Sequence, residues 1–391
     1  MNRPRLLPLD YAVRSALRGR LKSLLAAVSG FLVVLVLLAA GAFVRGMDVS
    51  LVEQGAPQNV ILLGSGSEES VERSEIGPAT PSMLAASVPG IAEHAGQAAI
   101  SPEVHVQLTV HLDTRPNTDE QFLVRGVEPA AWIVHPNVWL QNGRLPRPGQ
   151  DEVLLGVAAM RRLGLTLPEE AIGARLRFAE RVWTVSGVFD AGRSVISGEV
   201  WMPLNDLRQA MQRTTLSCVV FSLGSDGRFS DVDLFVKSRL DLELMAMPER
   251  LYYRSLGNFF APLKLMAWVT AILMAVGALF GGLNSTHALF AGRVRELGTL
   301  LTLGYSRSAV LLSMTAESVL IASCGALLAG VVALTLLDGL AVHFSLGSFG
   351  LLVDGRVMLP ALGAGLLAGM LGVAGPAMRC FRLPISQALR A

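Results

Sequence analysis

Four long apolar stretches interrupt an otherwise mixed chain. Ser23 to Val44 is uncharged and bracketed by Lys22 and Arg45, and Leu265 to Leu283 follows Lys264. A third stretch runs from near Ser308 to Leu337 with Glu317 inside it, and Val357 to Met378 is closed by Arg379. A hydrocarbon core of about 30 Å takes about 20 apolar residues as helix, so each stretch predicts a membrane span. The first is too long for a signal-peptide core and shows no small-residue cleavage site, so it is expected to be retained. Pro360 and Pro376 are expected near the ends of the fourth span, where helices tolerate proline best.

Basic residues orient these spans. Arg3, Arg5, Arg14, Arg18, Arg20 and Lys22 precede the first; Arg293, Arg295 and Arg307 lie between the second and third; Arg379, Arg382 and Arg390 follow the fourth. The short loop between spans three and four has only Arg356, beside Asp338 and Asp354. The positive-inside rule then places both termini and the second loop in the cytoplasm, and the long segment after span one outside. Before the first span, Val13, Leu17 and Leu21 recur every four residues, as do Arg14, Arg18 and Lys22, the pattern of an amphipathic helix in the headgroup layer. It serves either as a topology anchor or as an elbow touching a cytoplasmic partner.

Between spans one and two the pattern becomes that of a soluble α+β domain. Strands are expected at Asn59 to Leu63, Val104 to Leu112, Phe122 to Val127, Glu152 to Leu155, Arg181 to Phe189 and Leu216 to Leu223. Helices are expected at Pro81 to Ser87, through Met160 and Leu163 to a stop at Gly164, and at Asp231 to Leu240. Gly64 to Arg73 reads as a flexible loop.

Composition agrees with a chain partly dissolved in lipid: 52% of residues are hydrophobic and 16% charged, against roughly 25% charged in soluble domains. A net charge of +2 gives no nucleic-acid footprint. Cys218, Cys324 and Cys380 fall in three different compartments on this topology, which excludes a disulfide scaffold and leaves them as small buried apolar residues.

Catalytic patterns are sparse. Gly64-Ser-Gly-Ser lacks the Gly-Lys-Ser/Thr ending of a phosphate loop and is followed by Glu68-Glu69. His105, His111 and Asp113 resemble scattered metal ligands, but on one strand the two histidines would be about 20 Å apart, too far for one ion. They are read as surface residues, and no metal site, cofactor site or catalytic residue is expected. No G-x-S-x-G elbow and no H-E-x-x-H helix occurs.

The most specific stretch is Gly277 to Gly330. A polar turn emerges after span two at Arg293, and a short amphipathic segment carries Leu297, Leu300 and Leu301 to a stop at Gly304. Such a knob between two membrane helices suits a partner's groove. The segment Arg293, Arg295, Glu296, Leu297, Gly298, Leu300 and Gly304 resembles the R-x-R-E-I-G-x-L-r-a-x-G motif of MacB/FtsX-like ABC transporter permeases, with leucine for isoleucine at 297 and for a frequent arginine at 301. Arg20-Leu-Lys-Ser, Pro57-Gln-Asn-Val-Ile-Leu, Val88-Pro-Gly-Ile, Gly149-Gln-Asp-Glu-Val-Leu-Leu-Gly and the closing Pro384-Ile-Ser-Gln-Ala-Leu-Arg are similar to further segments of that family, in the same order.

The resemblance implies an α-helical integral membrane protein with four transmembrane helices, both termini inside, and a large extracytoplasmic α+β domain between spans one and two. Its parts would be a cytoplasmic amphipathic helix 1–22, spans 23–45, 263–286, 308–337 and 357–378, a coupling segment 287–307, an external loop 338–356 and a tail 379–391. The outer domain 46–262 would comprise a porter-like lobe, 47–105 plus 213–262, and an inserted β-rich lobe, 106–212. The resemblance further implies an inner-membrane permease subunit, not itself an enzyme, that passes motion from a separate cytoplasmic ATPase to its periplasmic domain. ATP and Mg would be bound on that partner and no cofactor by this chain. Other implied partners are a second permease copy or paralogue and a periplasmic membrane-fusion protein. Export or extraction of a lipid- or lipoprotein-type substrate is the leading activity. The alternative, an FtsX-like module that activates a cell-wall hydrolase, fits less well with an outer domain this large. Glu317 is a candidate intramembrane functional carboxylate, either pairing with an inside arginine or reaching the headgroups. Glycines in Gly325 to Gly330 and Gly363 to Gly369 suit close helix packing.

Overall fold

A computed structural model describes residues 20–52, 55–68, 70–291, 293–344 and 347–382. The amphipathic segment 1–22 falls almost wholly outside these residues. The chain divides into two compact units, one of residues 1–46, 262–340 and 351–391, the other of 47–261 and 341–350.

Six helices carry the spans and the sites described below: α1 (Arg20–Val52), α2 (Glu249–Phe259), α3 (Ala261–Ala291), α4 (Val294–Thr302), α5 (Arg307–Val332) and α6 (Gly355–Arg382). The first unit is helical. Ser23–Leu51, Ala261–Phe290, Arg307–Leu337 and Gly355–Val373 are each long and apolar enough to cross a membrane. At about 1.5 Å per residue, the 29 residues of the first exceed a 30 Å core. Asp354 starts α6: its Oδ1 accepts the backbone N–H groups of Arg356 and Val357 at 3.1 Å each, and its Oδ2 accepts from Arg45 Nε at 2.9 Å. The helix begins five residues before Pro360 and continues six residues beyond Pro376.

Small residues let these helices touch. A Cβ at Gly325 would overlap the carbonyl oxygen of Ala27 on α1, and one at Gly365 would meet Val34 at 2.6 Å. Ser318 Oγ donates to the carbonyl of Gly369 at 2.8 Å, and Ser29 Oγ donates to that of Ala278. Gly363, by contrast, has nothing within 4 Å of a built Cβ. α3 is the least covered span: Leu265, Met266, Leu273 and Phe280 are exposed, so this face meets lipid or another chain. Cys324 is also exposed on the bundle, contrary to the expectation of three buried cysteines.

The second unit is built on one large sheet. Its strands are β1 (Asn59–Gly64), β2 (Ile100–Leu112), β3 (Arg115–Val127), β4 (Trp139–Gly143), β5 (Glu152–Gly156), β6 (Arg175–Phe178), β7 (Arg181–Asp190), β8 (Val200–Pro203), β9 (Cys218–Ser222) and β10 (Leu244–Pro248). Their order is β10-β1-β9-β2-β3-β8-β5-β7-β4, with β6 joining β2 to β7. β2 is the seam: its start pairs with β9 (Cys218↔Glu103), and the rest pairs with β3 (Val104↔Gly126 onward). Its alternation buries Val104, Val110 and Leu112 in the main core with Phe122, Val124, Trp183 and Val200. A second core beneath β1 and β9 holds Ile61, Leu63, Val220, Tyr252 and Tyr253.

The expected loop after β1 contains a short helical turn, Val71–Arg73. A hairpin of β11 (Ala341–Phe344) and β12 (Gly347–Gly350) belongs to this second unit although it comes from the loop before α6, and β12 runs beside the turn Val195–Gly198.

Candidate functional site

In the helical unit the residues singled out by the sequence form one compact feature. Arg293 caps α4, and Gly304, at φ 91°, stops it. The Tyr305 N–H reaches back to the Leu300 carbonyl at 3.3 Å, satisfying the helix end as a glycine stop does. The next helix starts at once, because Ser306 Oγ accepts the N–H of Ala309 at 3.2 Å. Gly304 and Ser306, two residues apart, therefore end α4 and start α5 within one turn.

One face of α4 is anchored. Leu300, Leu301 and Tyr305 pack on Leu289, Phe290, Val310 and Met314. Gly298 is buried, while Arg295, Glu296 and Leu303 are exposed. Glu317 is only 2% exposed, and Arg293 Nη1 donates to its Oε1 at 2.8 Å and its Oε2 at 3.1 Å. Arg293 Nε also donates to Glu296 at 3.1 Å. The carboxylate is paired within the bundle with the arginine that opens α4. Such a pair avoids the several kcal/mol that a lone charge in a span costs.

The outer unit holds a second constellation that the sequence reading missed. Glu103 is fully buried on β2. Its Oε1 accepts from Ser101 Oγ at 3.0 Å and His135 Nε2 at 2.8 Å, and its Oε2 accepts from Arg125 Nη1 at 2.8 Å and His105 Nε2 at 2.9 Å. Arg125 on β3 forks onto Glu199, Nε to Oε2 at 2.7 Å and Nη2 to Oε1 at 2.6 Å, and Trp201 Nε1 donates to the same carboxylate at 2.7 Å. Glu249, at the start of α2, accepts from Asn59 Nδ2 at 2.8 Å and lies 4.0 Å from His135 Nδ1.

Sheet register brings these groups together. Arg125 sits opposite both His105 and Trp201, Cys218 opposite Glu103, and Asn59 opposite Ser222. The network thus crosses the seam strand and bonds both halves of the sheet. Burial opposes ionisation of Glu103, but Arg125 and His135 outweigh it and hold the carboxyl well below its ordinary value. Burial likewise opposes the proton on His135, and Glu103 outweighs it, so His135 is raised. Burial and then Arg125 push His105 down, leaving it neutral.

His105 is therefore not a surface histidine. It shares β2 with His111, as the spacing required, but its ring is 4% exposed. His111 lies near Asp119 at 3.6 Å, and Asp113 accepts from Arg177 at 2.8 Å. Glu103, His105 and Cys218 do place possible ligand atoms within 4.8 Å of one another. Two features oppose a cation there: the Arg125 guanidinium beside Glu103, and a Cys218 thiol pushed well up by burial and by that carboxylate. The arrangement acts as a charge clamp within the sheet. Its signal in the sequence was isolated charge in apolar strands, Glu103 in Ile-Ser-Pro-Glu-Val and Arg125 in Phe-Leu-Val-Arg-Gly.

A family model for the MacB-like periplasmic core domain matches residues 23–233, and one for the FtsX-like permease C-terminal region matches residues 268–385. Among solved structures, the periplasmic region of MacB from Actinobacillus actinomycetemcomitans superposes with a TM-score of 0.39 at 11% identity, over 53% of this chain and 96% of that one. The extracellular domain of the noncanonic ABC-type transporter YknZ from Gram-positive bacteria gives a TM-score of 0.38 at 14% identity, over 48% of this chain and 99% of that one. No curated protein sequence matches the chain. With family matches over its outer domain and its later spans, the chain belongs to the MacB/FtsX-like ABC transporter permeases and is a multi-pass membrane protein.

Proposed function

We propose that this chain is the permease subunit of an inner-membrane ABC transporter, passing motion from a separate cytoplasmic ATPase to its outer domain. The observation that carries this reading is α4, a short helix clamped to α3 and α5 through Leu300, Leu301, Tyr305 and the Arg293–Glu317 pair, with Arg295 and Glu296 left exposed. A helix so held moves with its spans, and its exposed face suits a groove on a partner. ATP and Mg are bound and hydrolysed on that partner.

Both termini and α4 lie in the cytoplasm in this reading. The hairpin 341–350 supports it, because the loop between spans three and four and the domain after span one share one unit and hence one side. The outer unit, a ten-stranded sheet braced by the charge clamp, suits the handing of force to an exported or extracted lipid- or lipoprotein-type substrate. A second permease copy and a periplasmic membrane-fusion protein complete the assembly. Replacing Arg295 and Glu296 together by alanine tests the reading. Loss of co-purifying ATPase, with the chain still in the membrane, is expected; intact association would sink it.

A further inference from the structure

A cleft of about 640 Å³ opens in the outer unit between the start of α2, the segment after His135 and the turn following β7. Three arginines line it: Arg193 from the turn, and Arg250 and Arg254, four residues apart on one face of α2. All three are exposed. Arg250 Nε donates to the Gly55 carbonyl at 2.8 Å, which fixes that side chain at the rim. The lining also includes Trp139, 49% exposed, and the buried Ile196. The buried His135, hydrogen-bonded to Glu103, also lines it.

Cationic forks and an indole in one cleft make a site for a ligand with an anionic end and an apolar remainder. Guanidinium groups match phosphate geometry, and tryptophan suits the junction between water and acyl chain. The volume lies within the usual range for a small-ligand site.

We propose that this cleft, walled by Arg193, Arg250, Arg254 and Trp139, binds the phosphate-bearing headgroup of an anionic amphiphile. The proposal does not depend on the coupling role of α4 and stands or falls separately from it.

The test uses the full chain in nonionic micelles and titration calorimetry with three probes below their own micelle-forming concentrations: dihexanoyl phosphatidylglycerol, dihexanoyl phosphatidylcholine and inorganic phosphate. Phosphatidylglycerol should bind saturably, at one site per chain, and at least tenfold more tightly than either of the others. The paired change Arg250→Gln with Arg254→Gln should weaken it at least tenfold, the pair Arg250→Lys with Arg254→Lys much less, and Trp139→Ala severalfold. The lysine pair serves as the folding control, since it keeps charge on the same exposed positions. Binding by the glutamine pair within twofold of the unaltered chain would overturn the site. Equal binding of inorganic phosphate would overturn the amphiphile in favour of a free anion, and equal binding of phosphatidylcholine would overturn the role of charge.

Discussion

Arg125→Met removes the one fixed cation of the outer unit's charge clamp. Glu103 and Glu199 then face each other's surroundings with only His135 to balance them, and both are almost wholly buried. Removing one partner of a buried ion pair costs about 3–5 kcal/mol, because the remaining charge keeps its desolvation penalty and loses its counter-charge. For a unit of about 200 residues each kcal/mol lowers the midpoint by about 2–4 °C, so a fall of about 6–20 °C is expected. The assay is thermal unfolding of the full chain in micelles, followed by tryptophan fluorescence, since Trp183 and Trp201 are both fully buried in this unit. Adding Glu199→Gln to Arg125→Met removes the surplus negative charge and should recover part of the loss. Arg125→Lys keeps the charge but not the fork onto Glu199 and should fall between. A midpoint for Arg125→Met within about 2 °C of the unaltered chain would refute the reasoning, as would equal damage from lysine and methionine.

Three further outcomes follow from the same geometry. Because His135 is raised above 6.5, its contribution to stability is full below pH about 6.5 and is lost as pH rises through its folded value; His105 is lowered, so its contribution is present above about 6.5 and lost as pH falls. Unfolding midpoints between about pH 5 and 9 should therefore lose their alkaline decline in His135→Gln and their acid decline in His105→Gln. Arg293→Gln strands Glu317 in the bundle at a cost of about 2.5–3.5 kcal/mol, so amide exchange over 294–302 should quicken while the outer unit's stays unchanged. Gly325→Leu forces a side chain into the Ala27 carbonyl and should destabilise the bundle by about 1–3 kcal/mol or more, seen as a lower midpoint, whereas Gly363→Leu meets open space and should leave it nearly unmoved.

Different parts of this molecule were legible to different degrees, for physical reasons. Membrane spans declare themselves because charges are rare over some 20 apolar residues, and the four helices appear where apolar runs required them. Strands β1, β5 and β7 were readable from local pattern, as was the Gly164 stop, which has φ 76°. Short strands β4, β6, β8 and β10 and helix α2 were missed. Trp139–Gly143 is exposed at alternate positions without an apolar face, and Val200–Pro203 is buried throughout, so neither shows a period of two. The pairing within the charge clamp was not readable, although its charges stand alone in apolar strands, because it depends on register between strands distant in sequence: Glu103, Arg125 and Glu199 meet only once β2, β3 and β8 align. The α4 feature was legible because all its parts lie within one short stretch. Its anchor on Glu317 was readable only as one of two alternatives.

In the proposed function, α4 presents its exposed face to an ABC ATPase. A photo-crosslinking residue at Arg295, in the full chain in its own membrane, tests this most directly when compared with the same residue at the exposed Leu340 in the loop before α6. An ABC-type ATPase, identified by mass spectrometry, is expected to be joined at position 295 and not at 340. An ATPase absent at 295, or captured equally at both positions, would contradict it.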